Sequence, residues 1–426
     1  MLTSLPNYLP LNVPFFLARR IRQAPIESFS ATVTKVGIAS IAVGLAVMIV
    51  AFAVLFGFKR TIQDKIFLFG AHLQVSKFTA NMSYEEAPIS TNTPFYKAVQ
   101  TNPDIAHIQA VAMKAGILKT PDELAGVVMK GVGSDYNWQL IEQSLVAGKI
   151  PSIRPDSTTR SSDGPAYSTE ILVSQFLADQ LTIKVGQSVI TYFLGGNQPR
   201  PRKLTVVGIY MTGLEEFDKQ IVLGDLRLIQ RLNNWTPDRV GTFELFVNDF
   251  SQLDRAYQST FDQIPPDFRL TRVTDQYGPL FDWMVLLDRN TLVFLVLILF
   301  VASFNMVSVL LVLMMERTPM IGLLKALGSP DAMLRRLFFY VGLNMVVKGL
   351  LIGNAVGLGF CLVQDYFRLI PLDPKNYFMS FVPIQWDWSV IILLNLATMG
   401  IIAAVMWLPT LVINRVDPVK ALMFKK

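Results

Sequence analysis

The sequence has little of what disulfides, metal sites or a charged surface require. Its 426 residues include 1 cysteine and 2 histidines, and 16% of them are charged. Cys361 has no cysteine to pair with, and His72 and His107 lie far apart along the chain, so we expect no intramolecular disulfide and no metal site. Soluble domains carry about 25% charged residues. The low charge therefore argues against a soluble cytosolic protein.

The sequence also lacks the motifs of common catalytic sites. It contains no G-x-x-x-x-G-K-[ST] phosphate loop, no H-E-x-x-H and no G-x-S-x-G. Glu215 and Glu216 are adjacent, so they cannot share one face of a helix, and we expect them in a solvated turn. We therefore predict no catalytic residue and no cofactor bound by this chain. A membrane-anchored enzyme is the least supported class.

Long hydrophobic runs are what the sequence does contain. Hydrophobic residues make up 52% of the chain, and a membrane-spanning helix needs about 20 of them in succession. Four segments qualify, at 38–56, 291–315, 337–363 and 390–411. No small-residue cleavage site follows the first segment before Lys59, so we predict an uncleaved signal anchor.

The charge distribution predicts an orientation in the membrane. Residues 57–290 hold 25 of the 32 acidic residues but 23 of the 38 basic ones, and the other basic residues cluster beside the apolar segments. The positive-inside rule then places the N-terminal segment 1–37, which we expect to form an interfacial helix, the loop 316–336 and the tail 412–426 in the cytoplasm. The insertion 57–290 and the loop 364–389 face outward. No Lys/Arg-rich tract indicates a nucleic-acid partner.

The outward insertion shows the periodicities of both strands and helices. Residues 204–210 and 242–247 alternate as strands do, and 169–181 and 225–232 have helical spacing. Residues 193–202 are typical of a hairpin turn. The predicted fold class is therefore a membrane α-helical protein with four transmembrane helices and a large mixed α/β domain inserted between helices 1 and 2.

The short cytoplasmic loop between the second and third spans carries the most specific local pattern. Thr318-Pro319 and Ser329-Pro330 are typical helix starts, and Gly328 between them suits a left-handed helix stop. The helix between them exposes leucines and an isoleucine that are too apolar to face water alone. Both an interfacial linker and a helix that docks into a soluble partner fit this pattern.

Residues 303–328 (SFNMVSVLLVLMMERTPMIGLLKALG) resemble the permease signature of the lipoprotein-releasing ABC transporter family, of LolC/LolE type. That family belongs to a superfamily that includes the exporter MacB and the division protein FtsX. Residues 16–20, 207–218 and 417–422 extend the resemblance over almost the whole chain. It implies a permease of the bacterial inner membrane whose large domain is periplasmic. Such a permease mechanically lifts lipoproteins from the outer leaflet for a periplasmic chaperone.

The same resemblance implies partners and sites. The partners would be a separate LolD-like ATPase that binds ATP and Mg, a second permease (identical or paralogous), the lipoprotein cargo, a LolA-like chaperone and membrane lipids. The residues expected to contact the ATPase are Arg317, Ile321, Leu324 and Lys325. Those expected to line the acyl-chain site are Val47, Met48, Ala51, Leu55, Leu299 and Phe304, and those expected at the chaperone are Asn197, Pro199, Arg200 and Arg202. MacB-like export of a small molecule or peptide and an FtsX-like scaffold for a periplasmic hydrolase are the alternatives.

The third span contains two further features. Gly349, Gly353 and Gly357 recur every four residues and form a smooth face for close helix packing, within one chain or between chains. Lys348 lies about 18 Å along the helix from Arg336, near mid-bilayer. A charge there normally faces a bundle interior, so we hypothesise an intramembrane pairing with Asn305 or Asn395.

Overall fold

A computed structural model describes residues 29–79, 86–153, 167–194, 199–373, 377 and 379–411. The N-terminal segment up to 28, residue 197 and the tail 412–426, about which the sequence makes predictions, lie outside these ranges. The chain divides into two compact units. We call Met1–Phe58, Met284–Pro371 and Phe381–Lys426 the helical unit, and Lys59–Trp283 with Leu372–Ser380 the sheet unit.

The described helices are numbered here in chain order. They are α1 (Phe29–Phe69), α2 (Pro94–Gln100), α3 (Gln139–Gln143), α4 (Gln175–Gln180), α5 (Glu215–Asp218), α6 (Leu226–Leu232), α7 (Leu253–Phe261), α8 (Val273–Gln276), α9 (Gly278–Glu316), α10 (Thr318–Ala326), α11 (Asp331–Phe367) and α12 (Trp388–Thr410). One 3-10 turn covers Phe250–Gln252.

The described strands follow the same convention. They are β1 (Leu73–Lys77), β2 (Ile89–Ser90), β3 (Ile105–Lys119), β4 (Leu124–Val132), β5 (Leu145–Gly148), β6 (Glu170–Ser174), β7 (Ser188–Phe193), β8 (Arg200–Tyr210), β9 (Ile221–Asp225), β10 (Arg239–Val240), β11 (Thr242–Val247) and β12 (Phe268–Arg272).

The helical unit is built on four helices that are long and apolar enough to cross a membrane. They cover Thr32–Phe69, Gly278–Glu316, Asp331–Phe367 and Trp388–Thr410. The first three contain the predicted spans, and the fourth contains the predicted span 390–411 except for Leu411. The first three have 38, 39 and 37 residues, which exceeds the roughly 20 residues that the hydrocarbon core requires. The buried core of the unit is made of side chains from all four, among them Leu45, Leu310, Phe338 and Ile402.

The first helix is longer than the sequence predicts because its polar end keeps a helical apolar face. Beyond Phe58, the buried residues Ile62 and Ile66 lie four positions apart, which places them on one side of the helix. No proline interrupts α1, and it ends at Phe69 before Gly70. The last three turns therefore belong to the core of the sheet unit, although their charged residues lower the apolar signal in the sequence.

The sheet unit contains a ten-stranded mixed sheet in the order β12-β1-β11-β3-β4-β9-β6-β8-β5, with β7 paired to β3 and β8. β4 and β9 are parallel, as are β6 and β8, whereas the long β3–β4 hairpin is antiparallel. β2 and β10 form a separate pair. The predicted mixed α/β insertion is confirmed. The predicted strands at 204–210 and 242–247 lie in β8 and β11, and the predicted helix at 225–232 is α6 with Asp225 as its N-cap.

Two predicted boundaries need correction. Residues 169–181 do not form one helix, because Glu170–Ser174 is the buried strand β6 between β8 and β9, and helix α4 begins only after Ser174. A short, fully buried strand shows no alternation, so its apolar run mimics a helix. The loop predicted at 364–389 is shorter, because α11 continues to Phe367 and α12 begins at Trp388.

Candidate functional site

The short helix α10 joins α9 to α11 at the position where the sequence predicts a docking helix. Its bounds fall within the predicted segment, with Pro319 in its first turn. Gly328 follows with a φ of +86°, the left-handed conformation expected for a helix stop. Thr318 does not cap the helix as predicted: its hydroxyl donates a hydrogen bond to the carbonyl oxygen of Met314 over 3.1 Å.

The exposed face of α10 differs from the predicted one. Ile321 is fully buried in the hydrophobic core of the helical unit, whereas Leu323 and Leu327 are 52% and 74% exposed. With Pro319, also exposed, these two leucines recur every four residues and so share one side of the helix. We call Pro319, Leu323 and Leu327 the outer stripe. Ile321 is therefore corrected from a partner contact to an internal anchor.

A charged residue of α10 attaches this helix to the next one. Lys325 keeps 10% of its side chain exposed and forms an ion pair with Asp331, with 3.0 Å between Nζ and Oδ1. Asp331 begins α11, so the pair ties the last turn of α10 to the first turn of the next helix. Arg317 and Leu324 are half-buried. Of the four predicted contact residues, none lies on the outer stripe.

The three glycines of the third span pack against the first span. A Cβ on Gly349 would lie 2.8 Å from the Ile41 side chain, and one on Gly353 would lie 2.8 Å from the Ala42 carbonyl oxygen. A Cβ on Gly357 would lie 3.1 Å from the Ala46 backbone. The glycine face thus lets α1 and α11 approach within a single chain, which is one of the two packing arrangements that the sequence allowed.

The pairing predicted for Lys348 needs correction, because the structure gives both asparagines other partners. The Asn305 amide donates to the Ser40 hydroxyl over 2.8 Å. Asn395 and Asn354 exchange two amide hydrogen bonds, of 2.7 and 3.0 Å. Lys348 is exposed on α11. The Asn305 contact joins α1 to α9, and the Asn354–Asn395 contact joins α11 to α12.

The residues predicted to line an acyl-chain site divide between surface and core. Val47, Ala51 and Phe304 are exposed and Leu55 is half-buried. Met48 and Leu299 are only 2% and 6% exposed and lie in the hydrophobic core. These two therefore face the interior of the chain, because an apolar span carries no periodic signal that distinguishes its two faces.

The predicted hairpin joins β7 to β8, with Phe193 paired to Arg200. Asn197, one of the residues expected at the chaperone, lies outside the described residues. Arg200 donates a hydrogen bond over 2.7 Å to the carbonyl oxygen of Leu232 at the end of α6, so its guanidinium is held to the sheet unit. Pro199 is exposed and Arg202 half-buried.

The sheet unit holds the end of α1 in a polar and aromatic site that the sequence did not predict. The Lys130 ammonium donates to the Phe69 carbonyl oxygen over 2.9 Å, and the Tyr136 hydroxyl donates to the Leu68 carbonyl oxygen over 3.1 Å. Lys130 also lies 2.7 Å from a carboxylate oxygen of Glu244, and both side chains are 1% exposed. We call Lys130, Tyr136 and Glu244 the helix-end site. Lys130 and Tyr136 donate to carbonyl groups that a helix C-terminus leaves without partners, and Glu244 neutralises Lys130.

A second hydrogen bond completes the pairing of Glu244. Its other carboxylate oxygen accepts from the Gln109 side-chain amide over 2.8 Å. Burial raises the pKa of the Tyr136 hydroxyl, and the neighbouring carboxylate of Glu244 raises it further, so Tyr136 stays a donor. Every charge at this site is thereby matched, as a buried ion pair requires.

The segment 207–218, which carries part of the family resemblance, places two aromatic rings beside Phe69. The Phe69 ring lies 5.4 Å from that of Tyr210 and 5.2 Å from that of Phe217. Asp218 fixes the turn before it by accepting from the backbone N–H groups of Thr212 and Gly213 and from the Thr212 hydroxyl. Burial raises the pKa of Asp218, although these hydrogen bonds oppose the shift.

His72, just after α1, is part of the same packing. Its ring lies 4.3 Å from that of Phe67, and its Nδ1 accepts the Val247 N–H over 2.9 Å. Burial lowers the pKa of His72 to about 4, in keeping with an unprotonated Nδ1. Among the described residues no group of three or more His, Cys, Asp or Glu is arranged to hold a metal ion.

Comparison with known proteins assigns both parts of the chain to families. Residues 37–259, more than half of the chain, match the MacB-like periplasmic core domain, and 292–418 match the FtsX-like permease C-terminal family. Among solved structures, the periplasmic region of MacB from Actinobacillus actinomycetemcomitans covers 49% of this chain and 91% of its own, at 12% identity and a TM-score of 0.35.

Curated relatives match over nearly the full length. The chain is 24% identical over 427 residues to the lipoprotein-releasing system transmembrane protein LolC of Neisseria meningitidis serogroup B, covering 96% of this chain and 98% of the relative. It is 22% identical over 412 residues to LolE of Haemophilus influenzae, covering 92% and 94%. The chain therefore belongs to the family of the MacB-like periplasmic core domain, and it is a multi-pass membrane protein of the LolC/LolE-type ABC permeases.

Proposed function

We propose that this chain is the permease subunit of an ATP-driven transporter that extracts lipoproteins from the outer leaflet of the bacterial inner membrane. The released lipoprotein passes to a periplasmic chaperone, and a separate ATPase subunit binds ATP and Mg and hydrolyses the nucleotide. The near-full-length relatives named as lipoprotein-releasing system transmembrane proteins support this proposal. The single observation that carries it is the outer stripe on α10.

The outer stripe is suited to a groove on a soluble ATPase. Its two leucines are exposed, and an apolar helix face of this spacing is the usual ligand of a hydrophobic groove. Ile321 in the core and the Lys325–Asp331 pair fix the helix to the rest of the helical unit. We therefore expect a force on the outer stripe to be transmitted to α9 and α11, the two helices that α10 joins. We take the stripe to face the cytoplasm, following the charge distribution.

The helix-end site is the proposed point where helix movement reaches the sheet. α1 is continuous from Phe29 to Phe69, and its last residue is bonded to Lys130 on β4. Lys130 is in turn paired with Glu244 on β11. A displacement of the end of α1 therefore acts directly on two strands of the sheet.

We base the proposed cargo and chaperone contacts on which of the predicted side chains are exposed. Val47 and Ala51 on α1 and Phe304 on α9 are exposed apolar side chains, and we propose that they contact acyl chains together with a second permease subunit, identical or paralogous. We propose that Pro199 and Arg202 on the β7–β8 hairpin contact the chaperone, because Arg200 is already bonded to Leu232.

Two other functions are kept because specific matches favour them. The MacB-like periplasmic core domain favours export of a small molecule or peptide, and the FtsX-like C-terminal part favours a scaffold that controls a periplasmic hydrolase. All three functions need an ATPase. They differ in the molecule that is transported and in the protein that the sheet unit binds.

Copurification of the full chain in mild detergent, followed by mass spectrometry, separates these functions. We expect an ABC ATPase together with acylated lipoproteins. Leu323→Asp should remove the ATPase, whereas Leu124→Asp, at a similarly exposed leucine of the sheet unit, should retain it. An ATPase with a cell-wall hydrolase would indicate the scaffold, and an ATPase with neither would indicate export. Absence of any ATPase would contradict all three.

A further inference from the structure

Lys348 is an exposed cation in the middle of a long apolar helix. It is exposed on α11, and the part of the chain that the structure describes offers it no hydrogen bond or ion pair. The nearest charged residues on the same helix are Arg336 and Asp365, about 18 Å and about 26 Å away along the axis at a rise of about 1.5 Å per residue. Lys348 is therefore deep in the apolar part of α11, whichever end of the helix is cytoplasmic.

The side of α11 next to Lys348 packs against α1 and α12 of the same chain. Gly349 and Gly353 pack against α1, and the amide of Asn354 is bonded to α12. The exposed side carries Val347, Leu351 and Ile352, with Asn344 one turn before Lys348 on the same side. A charge at mid-span is strongly disfavoured in lipid and normally faces protein or a cavity. An aliphatic surface with a central cation is thus not a surface that lipid alone covers well.

The four apolar segments of this chain supply no counter-charge for Lys348. The apolar segments 38–56, 291–315, 337–363 and 390–411 contain no Asp or Glu. The same holds for a second copy of the chain, because its spans are identical. A lipid phosphate is at the membrane interface, about half the roughly 30 Å hydrocarbon thickness away from the mid-plane. The four-carbon side chain of lysine is too short to cross that distance.

We propose that this surface of α11, formed by Asn344, Lys348, Leu351, Ile352 and Ala355, binds a transmembrane helix of a different polypeptide that carries Asp or Glu at the depth of Lys348. A helix is required because only a structure with internally satisfied backbone groups can lie in lipid. A carboxylate is required because it neutralises Lys348 through a charge-assisted hydrogen bond. Ala355 is small, and a Cβ added to Gly359, one turn further, would have nothing within 4 Å, so a partner helix can approach closely there.

The cargo of the transporter plays no part in this binding. The surface need only be covered by a protein other than this one. A paralogous permease or a small accessory membrane protein would both satisfy it, provided that the partner helix has a carboxylate.

The test is site-specific photocrosslinking of the full chain in its native membrane. A benzoylphenylalanine at Ile352 samples the proposed surface, and one at Phe294 on α9, which is also exposed, is the control. We expect Ile352 to give a crosslink to another polypeptide, with the crosslinked peptide in an apolar segment that contains Asp or Glu. Phe294 should not give that product.

Charge variants then test the role of Lys348 itself. Lys348→Met should reduce the Ile352 crosslink at least tenfold, and Lys348→Arg should retain it. Lys348→Glu combined with Lys at the partner's acidic position should restore it. A crosslink to lipid alone, to a second copy of this chain or to a helix without a carboxylate would overturn the proposal. So would a crosslink that Lys348→Met leaves unchanged.

Discussion

The Lys130 side chain donates a hydrogen bond to the carbonyl oxygen of Phe69 over 2.9 Å, and this contact joins a sheet strand to the last residue of the first membrane helix. A cation at this position faces the negative end of the helix dipole. Glu244, 2.7 Å away on β11, neutralises the same ammonium. One buried ion pair thus fixes the helix end to two strands.

Lys130→Met should strongly destabilise the sheet unit. It leaves the Glu244 carboxylate buried without a counter-charge, and breaking a buried pair in this way costs about 3–5 kcal/mol. Thermal unfolding of the full chain in detergent, followed by tryptophan fluorescence, should show a clear loss of stability. Hydrogen exchange should become faster at amides near the end of α1.

The double variant Lys130→Met with Glu244→Leu provides the matched comparison. It removes both charges and should recover much of the loss, while Lys203→Met at an exposed lysine should have little effect. Equal losses in the single and double variants would contradict the view that an unpaired Glu244 carboxylate causes the loss.

Gly353→Ala should destabilise the helical unit. The added Cβ would lie 2.8 Å from the Ala42 carbonyl oxygen and 3.0 Å from Leu45, and overpacking of this kind costs about 1–3 kcal/mol. Gly359→Ala is the control on the same helix, since nothing lies within 4 Å of its Cβ position. Thermal unfolding of both variants in the same detergent measures the difference. Similar stability for the two would contradict close packing of α1 on α11.

The two sides of α10 should respond differently to an acidic residue. Burying a leucine is worth about 1.5–3 kcal/mol, so Leu323→Asp should weaken ATPase binding at least tenfold without altering the unfolding temperature of the permease. Ile321→Asp places a charge in the core and should lower that temperature. Binding to the copurified ATPase is measured in detergent for both variants. Retained binding in Leu323→Asp would assign the docking surface elsewhere.

Stability should also depend on the protonation of Glu86. Its carboxylate accepts from the Met113 N–H over 2.8 Å and from the Thr242 hydroxyl over 2.7 Å. Burial raises the pKa of Glu86 from 4.5 to about 7, although the two hydrogen bonds lower it. The folded state then binds more protons than the unfolded state between these values, so the contribution of Glu86 to stability is lost as pH rises from 4.5 through about 7.

Glu86→Gln removes this titration. The stability of the variant relative to the parent should therefore improve from pH 5 to about pH 7 and then level off, as unfolding temperatures measured at each pH would show. His72, whose pKa is lowered to about 4, titrates with the opposite sign in both proteins and cancels in the difference. A pH-independent difference between the two proteins would contradict the raised pKa of Glu86.

The sequence was sufficient for the features that depend on composition and length. Four apolar runs became the four long helices, and Gly328 ended α10 as expected. The alternation of residues 242–247 identified β11. These patterns are local, so they do not depend on which parts of the chain meet.

Features that depend on long-range contacts were not predictable in this way. Ile321 and Leu323 are both apolar residues of one short helix, and only the packing of the neighbouring helices shows that the first is buried. Lys130 and Glu244 stand 114 positions apart, and the register of β4, β3 and β11 brings them together. β6 resembles a helix in the sequence because a buried strand has no polar side.

The most direct test of the proposed function is ATP-dependent lipoprotein release. The full chain with its copurified ATPase is reconstituted into liposomes that contain a fluorescent triacylated lipoprotein, and transfer to a soluble chaperone is followed. We predict transfer that requires ATP and is abolished by the double variant Leu323→Asp with Leu327→Asp. ATP hydrolysis at a normal rate without any lipoprotein transfer in the unaltered complex would contradict lipoprotein release as the function of this permease.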